Sequence, residues 1–395
     1  MSIREPFRLT FWRGIFYLLL AAGIPLIALR YMRGLGAVTH LSDSFPWGLW
    51  IGFDLLCGVG LAAGGFTITA AVYLFNLKRF QPIVRPAVLT AFLGYALVIV
   101  ALLLDLGRPW NIWHPIVMWN PHSVMFEVSW CVMLYTAVLA LELSGMVFER
   151  LGWKRAVHIQ HGFTVPLVLA GVLLSTLHQS SLGALYLIAP GKLHALWYSA
   201  ALPWIFWVSA VCAGLAMVIV ESRLSSRAFG RQIEMPLLSD IGRVLLVALG
   251  VFATFRLEDL ISRGALMLAF KPTYEAALFH VEFLLGVLLP FALLLSPKLR
   301  QNVRGLYGAA LLVVLGFVAN RLNVSVTGLE GAMGGHYIPA WSEVVISMML
   351  VAAGFVAFRL AVKFLPVYPA QEGALTLLPP AVPARPRLAT AGGTV

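Results

Sequence analysis

Asp54, Asp105, Glu127 and His178 sit where apolar sequence surrounds them, one in each of four consecutive apolar runs. Ionisable groups inside apolar spans are costly and mark function by default. Successive spans run in opposite directions, so all four residues share one outer level. At 1.5 Å per residue, Asp54 and Glu127 fall about 8–10 Å inside the outer ends of their runs. Four consecutive helices that each contribute one titratable group at that level suit a four-helix bundle with a polar pocket near its outer mouth. Glu127 and His178, from adjacent runs, belong to that pocket with Asp54 and Asp105. Asp105 has a local basic neighbour in Asp105-Leu106-Gly107-Arg108-Pro109, which reads either as the pocket mouth or as an ion pair closing a helix end. His114 and His122 extend the polar rim. The alternative for the whole set is four separate interfacial residues reaching water, which short Asp and Glu stems do poorly.

A second set repeats the pattern. Arg256, Glu258 and Asp259 end one run, His280 and Glu282 begin the next, and Asn320 and Arg321 close another. Asp105 to Glu127 spans 22 residues and Asp259 to Glu282 spans 23, so the two halves read as parallel repeats. The second set carries both signs of charge, and a buried salt-bridge network suits it as well as a site does. Toward the inner ends lie Arg85, Glu142 and Glu221, with Tyr95 midway along the third run. Arg85, Tyr95 and Asp105 are about 15 Å apart in turn, so a proton path through them needs water between them. Packed or interfacial residues are the plainer reading of each. Cys57, Cys131 and Cys212 lie in apolar runs without a C-x-x-C, which argues against a metal centre or an iron–sulfur cluster in this chain. Bis-histidine haem ligation needs histidines facing across helices; His178 has only His122 or His280 to face, so no haem is expected.

The elements that must hold these residues are membrane spans. The chain of 395 residues is 60% apolar and only 11% charged, with a mean hydropathy of +0.88; a soluble domain carries about 25% charged residues. Its net charge of +11 does not indicate nucleic acid, because the basic residues lie in short loops between apolar runs. Ten runs reach the length of about 20 residues that a bilayer requires: 14–32, 47–76, 84–107, 122–146, 160–181, 200–221, 240–262, 275–296, 305–321 and 341–365. Basic residues mark alternate ends. Arg4, Arg8 and Arg13 precede the first run, and the even loops hold Lys78, Arg79, Lys154, Arg155, Arg223, Arg227, Lys298 and Arg304. By the positive-inside rule both termini face the cytoplasm of a bacterial inner membrane. Trp47, Trp50, Trp110, Trp113, Trp119, Tyr186, Trp197, Tyr198, Trp204 and Trp341 then read as an outer aromatic belt. The apolar loop 183–200 would lie flat on that surface. Gly58, Gly60, Gly64 and Gly65 offer close helix packing. The Pro/Ala/Gly-rich tail 369–395 reads as disordered.

Beyond these patterns, the chain resembles the NrfD/PsrC superfamily and, within it, the HybB-like membrane subunits of nickel–iron hydrogenases. The stretches that carry the likeness are LLLDLGRPWNIWHPIVMWNPHSVMFEVSW (102–130), STLHQSSLGALYLI (175–188), RLEDLISRGAL (256–266), FHVEFLLGVLLP (279–290) and GFVANRLNVSVTGLE (316–330). The resemblance implies an all-α polytopic membrane protein. Single helices at 1–46 and 331–368 would flank two four-helix bundles, 47–183 and 184–330. It implies a site for menaquinone or ubiquinone in the first bundle, with no haem. It further implies a periplasmic iron–sulfur electron-transfer subunit and hydrogenase large and small subunits as partners. Related chains serve polysulfide, nitrite and alternative quinol-oxidising complexes. A secondary transporter, a haem-bearing cytochrome b and a passive anchor are the rival classes.

Overall fold

The computed structural model describes residues 11–189 and 191–368. The tail 369–395 and the charges Arg4, Arg8, Arg385 and Arg387 fall outside the described residues. Helices and turns account for the described part, with no strand in it.

Ten long helices follow in chain order: α1 (Phe11–Arg33), α2 (Trp50–Tyr73), α3 (Lys78–Asp105), α4 (Val124–Leu151), α5 (Lys154–Ile188), α6 (Leu202–Phe229), α7 (Met235–Ser262), α8 (Tyr274–Leu295), α9 (Val303–Met333) and α10 (Trp341–Phe364). Among the described residues all but α7 are both long and apolar enough to cross a membrane. Helix α7 has 28 residues, enough length to span, but carries Asp240, Arg243, Arg256, Glu258 and Asp259. The chain is a multi-pass membrane protein.

Helix α2 packs on α3 and α5, α3 on α4, and α4 on α5, which closes one four-helix bundle. Helix α6 packs on α7 and α9, and α8 on both of these, which closes the second. Helices α1 and α10 pair with each other, and α10 also lies on α3. The bundles meet along α2 and α6, where Gly64 and Gly214 touch so closely that a Cβ on either would strike the other's backbone. Small residues permit this approach, so the glycine run in α2 serves packing.

Three of the helices contain π-helical turns, Trp50–Leu55, Val281–Leu288 and Asn323–Thr327. Each carries a buried polar residue: Asp54, Glu282 and Asn323. A π turn inserts one residue into the helical register and re-aims its side chains, a device frequent at functional sites. Apolar periodicity carries no trace of it.

The segment before α6 does not lie flat. Leu193, Leu196 and Trp197 are buried, Trp197 at 0% exposure. The His194 amide donates to the Gly328 carbonyl at 2.7 Å and the Trp197 indole N–H to Glu282 at 2.9 Å. The segment plugs the outer mouth of the second bundle because a buried indole and a buried carboxylate satisfy each other there. Trp50 and Tyr186 are likewise core residues, whereas Trp110, Trp113, Trp119, Trp204 and Trp341 are exposed as a belt requires.

Candidate functional site

The end of the bundles that carries Asp105 is called outer below, and the opposite end inner. Two polar groups occupy the first half of the chain, and the sequence-derived candidates divide between them.

The first group lies where α1, α2, α3 and α10 converge. Ser347 on α10 donates to Asp54 Oδ2 at 2.6 Å. Asp105, the last residue of α3, lies within electrostatic reach of Asp54, Glu343 and Arg30, and its Oδ1 is buried with no hydrogen-bond partner among the described residues. Arg30 on α1 is buried and donates to the Leu104 carbonyl at 2.6 Å and to the Leu106 carbonyl. Glu343 accepts from the His40 and Ala340 amides at 2.9 and 3.0 Å and from the Tyr337 hydroxyl. Outside the spans, burial lifts the Tyr337 phenol above its ordinary value, and Glu343 acts in the same direction. Arg108 is not the partner of Asp105. Helix α3 stops at Asp105, Leu106 turns extended, and the chain carries Arg108 to an exposed position without an ion pair. His114 sits in the rim turn with its ring edge-on to Trp113, centroids 4.6 Å apart, outside this group.

The second group lies inside the first bundle. His178 on α5 is at 0% exposure, and neither ring nitrogen makes a well-formed hydrogen bond among the described residues, although the Val128 main chain lies within reach. Its ring lies 5.6 Å from that of Tyr95 on α3, which stands edge-on at 4.7 Å to Tyr135 on α4. Both phenol oxygens, the Ser175 hydroxyl and the Gln179 carbonyl oxygen are also buried without a well-formed hydrogen bond among the described residues, although the Tyr135 and Ser175 hydroxyls lie within reach of each other, while Gln179 Nε2 donates to the Val59 carbonyl at 3.1 Å. Buried polar atoms are nearly always bonded, and each one left bare costs about 1–3 kcal/mol. Their concentration in one place marks this cluster as the candidate site. Glu127, half-buried in the first turn of α4, does not touch His178; the Val128 main chain lies beside the imidazole instead. No second histidine ring lies against His178 among the described residues.

Sequence reading missed Tyr135, Ser175, Gln179, Arg30 and Glu343. Spacing held the signal for some of them. Glu127, Cys131 and Tyr135 recur at four-residue intervals and Glu142 follows seven later, one face of α4, while Ser175, His178 and Gln179 share a face of α5. The ends of α4 follow local rules, Ser123 capping the start through the Phe126 amide and Gly152 closing it at φ 72°.

At the inner end, Arg85 pairs with Glu149 at 2.6 Å and donates to the Pro366 carbonyl at 2.9 Å. Arg85 and Glu142 share a mixed polar and apolar cavity of about 90 Å³ with Gln160 and His161. Glu221 lies apart in a second cavity and accepts from the Thr90 hydroxyl at 2.7 Å.

The second bundle holds a densely bonded network, although Arg256 Nε and Nη1 and Arg321 Nε make no hydrogen bond among the described residues. Glu282 accepts from Trp197, Asn320 and Asn323 at 2.9, 2.6 and 2.8 Å. Arg321 donates to Asn320 Oδ1 and Ser209 Oγ at 2.6 and 2.8 Å and lies over the Phe206 ring. Asp259 pairs with Arg263 at 2.7 Å and Arg256 at 3.6 Å. Glu258 stands outside the network on an exposed face, and the His280 ring bonds its own helix at Ala276.

Ten packed helices in two bundles, each holding a cluster of buried polar residues, describe an all-α polytopic membrane protein. Residues 37–331 match the family model described as "Polysulphide reductase, NrfD". The chain is 40% identical to a Nitratidesulfovibrio vulgaris protein over 89% of this chain and 92% of that one. It is 37% identical to the "Probable Ni/Fe-hydrogenase 2 b-type cytochrome subunit" of Escherichia coli K12, covering 87% of this chain and 89% of the relative. It is also 30% identical to the "Menaquinone reductase, integral membrane subunit" of N. vulgaris, covering 87% and 88%. The chain belongs to the NrfD family of oxidoreductase membrane subunits.

Proposed function

We propose that this chain is the quinone-reactive membrane subunit of a respiratory complex that oxidises hydrogen and reduces menaquinone or ubiquinone. The observation that carries the reading is the buried, sparsely bonded set around His178, Tyr95 and Tyr135, supported by the hydrogenase-subunit and menaquinone-reductase relatives.

Two electrons arrive from a partner iron–sulfur subunit fed by the nickel–iron large and small subunits. The quinone takes them together with two protons and leaves as quinol. In this chain, His178 and the two phenols supply the hydrogen bonds that fix a carbonyl oxygen, and Glu127, at the outer end of the same α4 face, delivers protons. Asp54 and Asp105 shape the outer rim beside α1 and α10. Tyr135 and Glu142 continue the α4 face inward, so protons drawn through Arg85, Tyr95, Glu142 and Glu221 would couple the reaction to proton movement. The outer ends face the periplasm and both termini the cytoplasm. The second-bundle network of Arg256, Asp259, Glu282 and Arg321 is structural. On this reading the chain carries no haem: the His178 ring lies beside Tyr95, with no second histidine ring against it among the described residues.

Affinity purification of this chain tests the assignment. The expected complex retains iron–sulfur and nickel–iron subunits and reduces a soluble menaquinone analogue with hydrogen. A complex that lacks a hydrogenase but reduces the analogue from another donor would move the chain to a different branch of its family. One inert toward quinones would overturn the reading.

A further inference from the structure

The inner end of the molecule is crossed by the segment that follows α10. Arg85 on α3 holds it by the Pro366 carbonyl. Val367 is buried against Leu89 and Met146. The next residue, Tyr368, lines a cavity of about 70 Å³ where α3 and α6 meet, together with Glu221, Ser222, Ser225 and Arg231. The Arg231 guanidinium lies 4.1 Å over the Tyr368 ring, and the Ser225 hydroxyl is beside its oxygen. Burial lifts the phenol above its ordinary value, and Glu221 adds in the same direction, so the ring stays neutral.

A cavity of this size takes several waters, since one needs only about 10–15 Å³ of such space. Its lining is polar. Glu221 has one oxygen fixed by Thr90 and the other left for the cavity. The second inner cavity, around Glu142, is not closed by Tyr368. We propose that the cavity at Glu221 is a water-filled vestibule through which this carboxyl group exchanges protons with the inner aqueous phase, and that Tyr368 is its lid. A proton from cavity water adds to the carboxylate and gives the neutral acid; the reverse step returns it. The inference rests on the reading that the chain couples quinone reduction to proton movement. It adds where the protons enter and what admits them.

The lid is tested on the purified complex carrying Ser222→Cys, with the native complex, whose Cys57, Cys131 and Cys212 are buried, as the blank. The probe is the small cation 2-aminoethyl methanethiosulfonate. Adding Tyr368→Ala should speed labelling by about tenfold or more, because the lid no longer has to open first. Tyr368→Phe, which keeps the ring, should label as Tyr368 does. Equal rates in all three, or no labelling even with Tyr368→Ala, would overturn the lid. In liposomes, Glu221→Gln should at least halve proton uptake from the inner side per quinone reduced. Unchanged uptake would overturn Glu221 as the exchanging group. If the native complex fails to reduce quinone, the functional reading fails, while the labelling result still decides the lid.

Discussion

His178, Tyr95 and Tyr135 make few hydrogen bonds to the protein in a close-packed bundle, whereas Glu282 accepts three in the other bundle and Arg321 donates through both of its terminal nitrogens. That contrast separates a site from a scaffold, and it makes opposite predictions. Tyr135→Phe removes a hydroxyl whose one near partner is the Ser175 hydroxyl, so thermal stability in detergent should fall by no more than about 0.5–1.5 kcal/mol while quinone-linked turnover falls. Glu282→Ala strands Trp197, Asn320 and Asn323 and leaves Arg321 short of countercharge. It should cost about 3–5 kcal/mol, seen as a lower unfolding temperature and less assembled complex, without selective loss of quinone turnover. If Tyr135→Phe unfolds the protein, the pocket is structural. The sequence disclosed that Asp54, Asp105, Glu127 and His178 are embedded, but the single outer level read from it does not hold for His178, whose ring lies beside Tyr95, ten residues inward of Asp105 along α3. It did not disclose their partners, because Arg30 and Glu343 are more than 70 and 200 residues from Asp105 in the chain and only tertiary packing brings them to it.

Among the elements, the ten helices were legible from apolar length and alternating basic loops, since both follow from bilayer thickness and membrane orientation. The π turns and the loop plug were not. A π turn changes register without changing composition. The 183–200 segment reads as interfacial because its aromatics suit an interface and a core equally well, and only the Glu282 acceptor decides between them. Trp197→Ala should therefore loosen the second bundle; hydrogen exchange of the Asn323–Thr327 turn should rise, and an unchanged pattern would return the segment to the surface. Helices α8 and α9 touch at Gly286 and Gly316, where a Cβ on either meets the other's backbone. Gly316→Leu should reduce assembled protein more than Gly308→Leu on the same helix, which opens onto free space. Equal yields would mean that the contact does not limit assembly.

For the whole molecule, the parallel-repeat reading anticipated two bundles of similar build, and the bundles differ in what they do with their polar residues. The expectation of a haem-free chain follows from histidines that do not pair across helices in the sequence. The purified chain should show no Soret band near one haem per chain, and such a band would promote the cytochrome reading instead. The central claim is that His178 and Glu127 handle quinone protons. It is tested most directly by the ratio of quinone-linked to dye-linked hydrogen oxidation in membranes with matched subunit levels. The dye takes electrons from the upstream partners. His178→Ala and Glu127→Gln should each lower the ratio by about 10²–10⁴-fold, the usual cost of one lost proton-transfer group. Dye and quinone activities that fall together, with the ratio unchanged in both variants, would contradict the account and make the pair part of the scaffold.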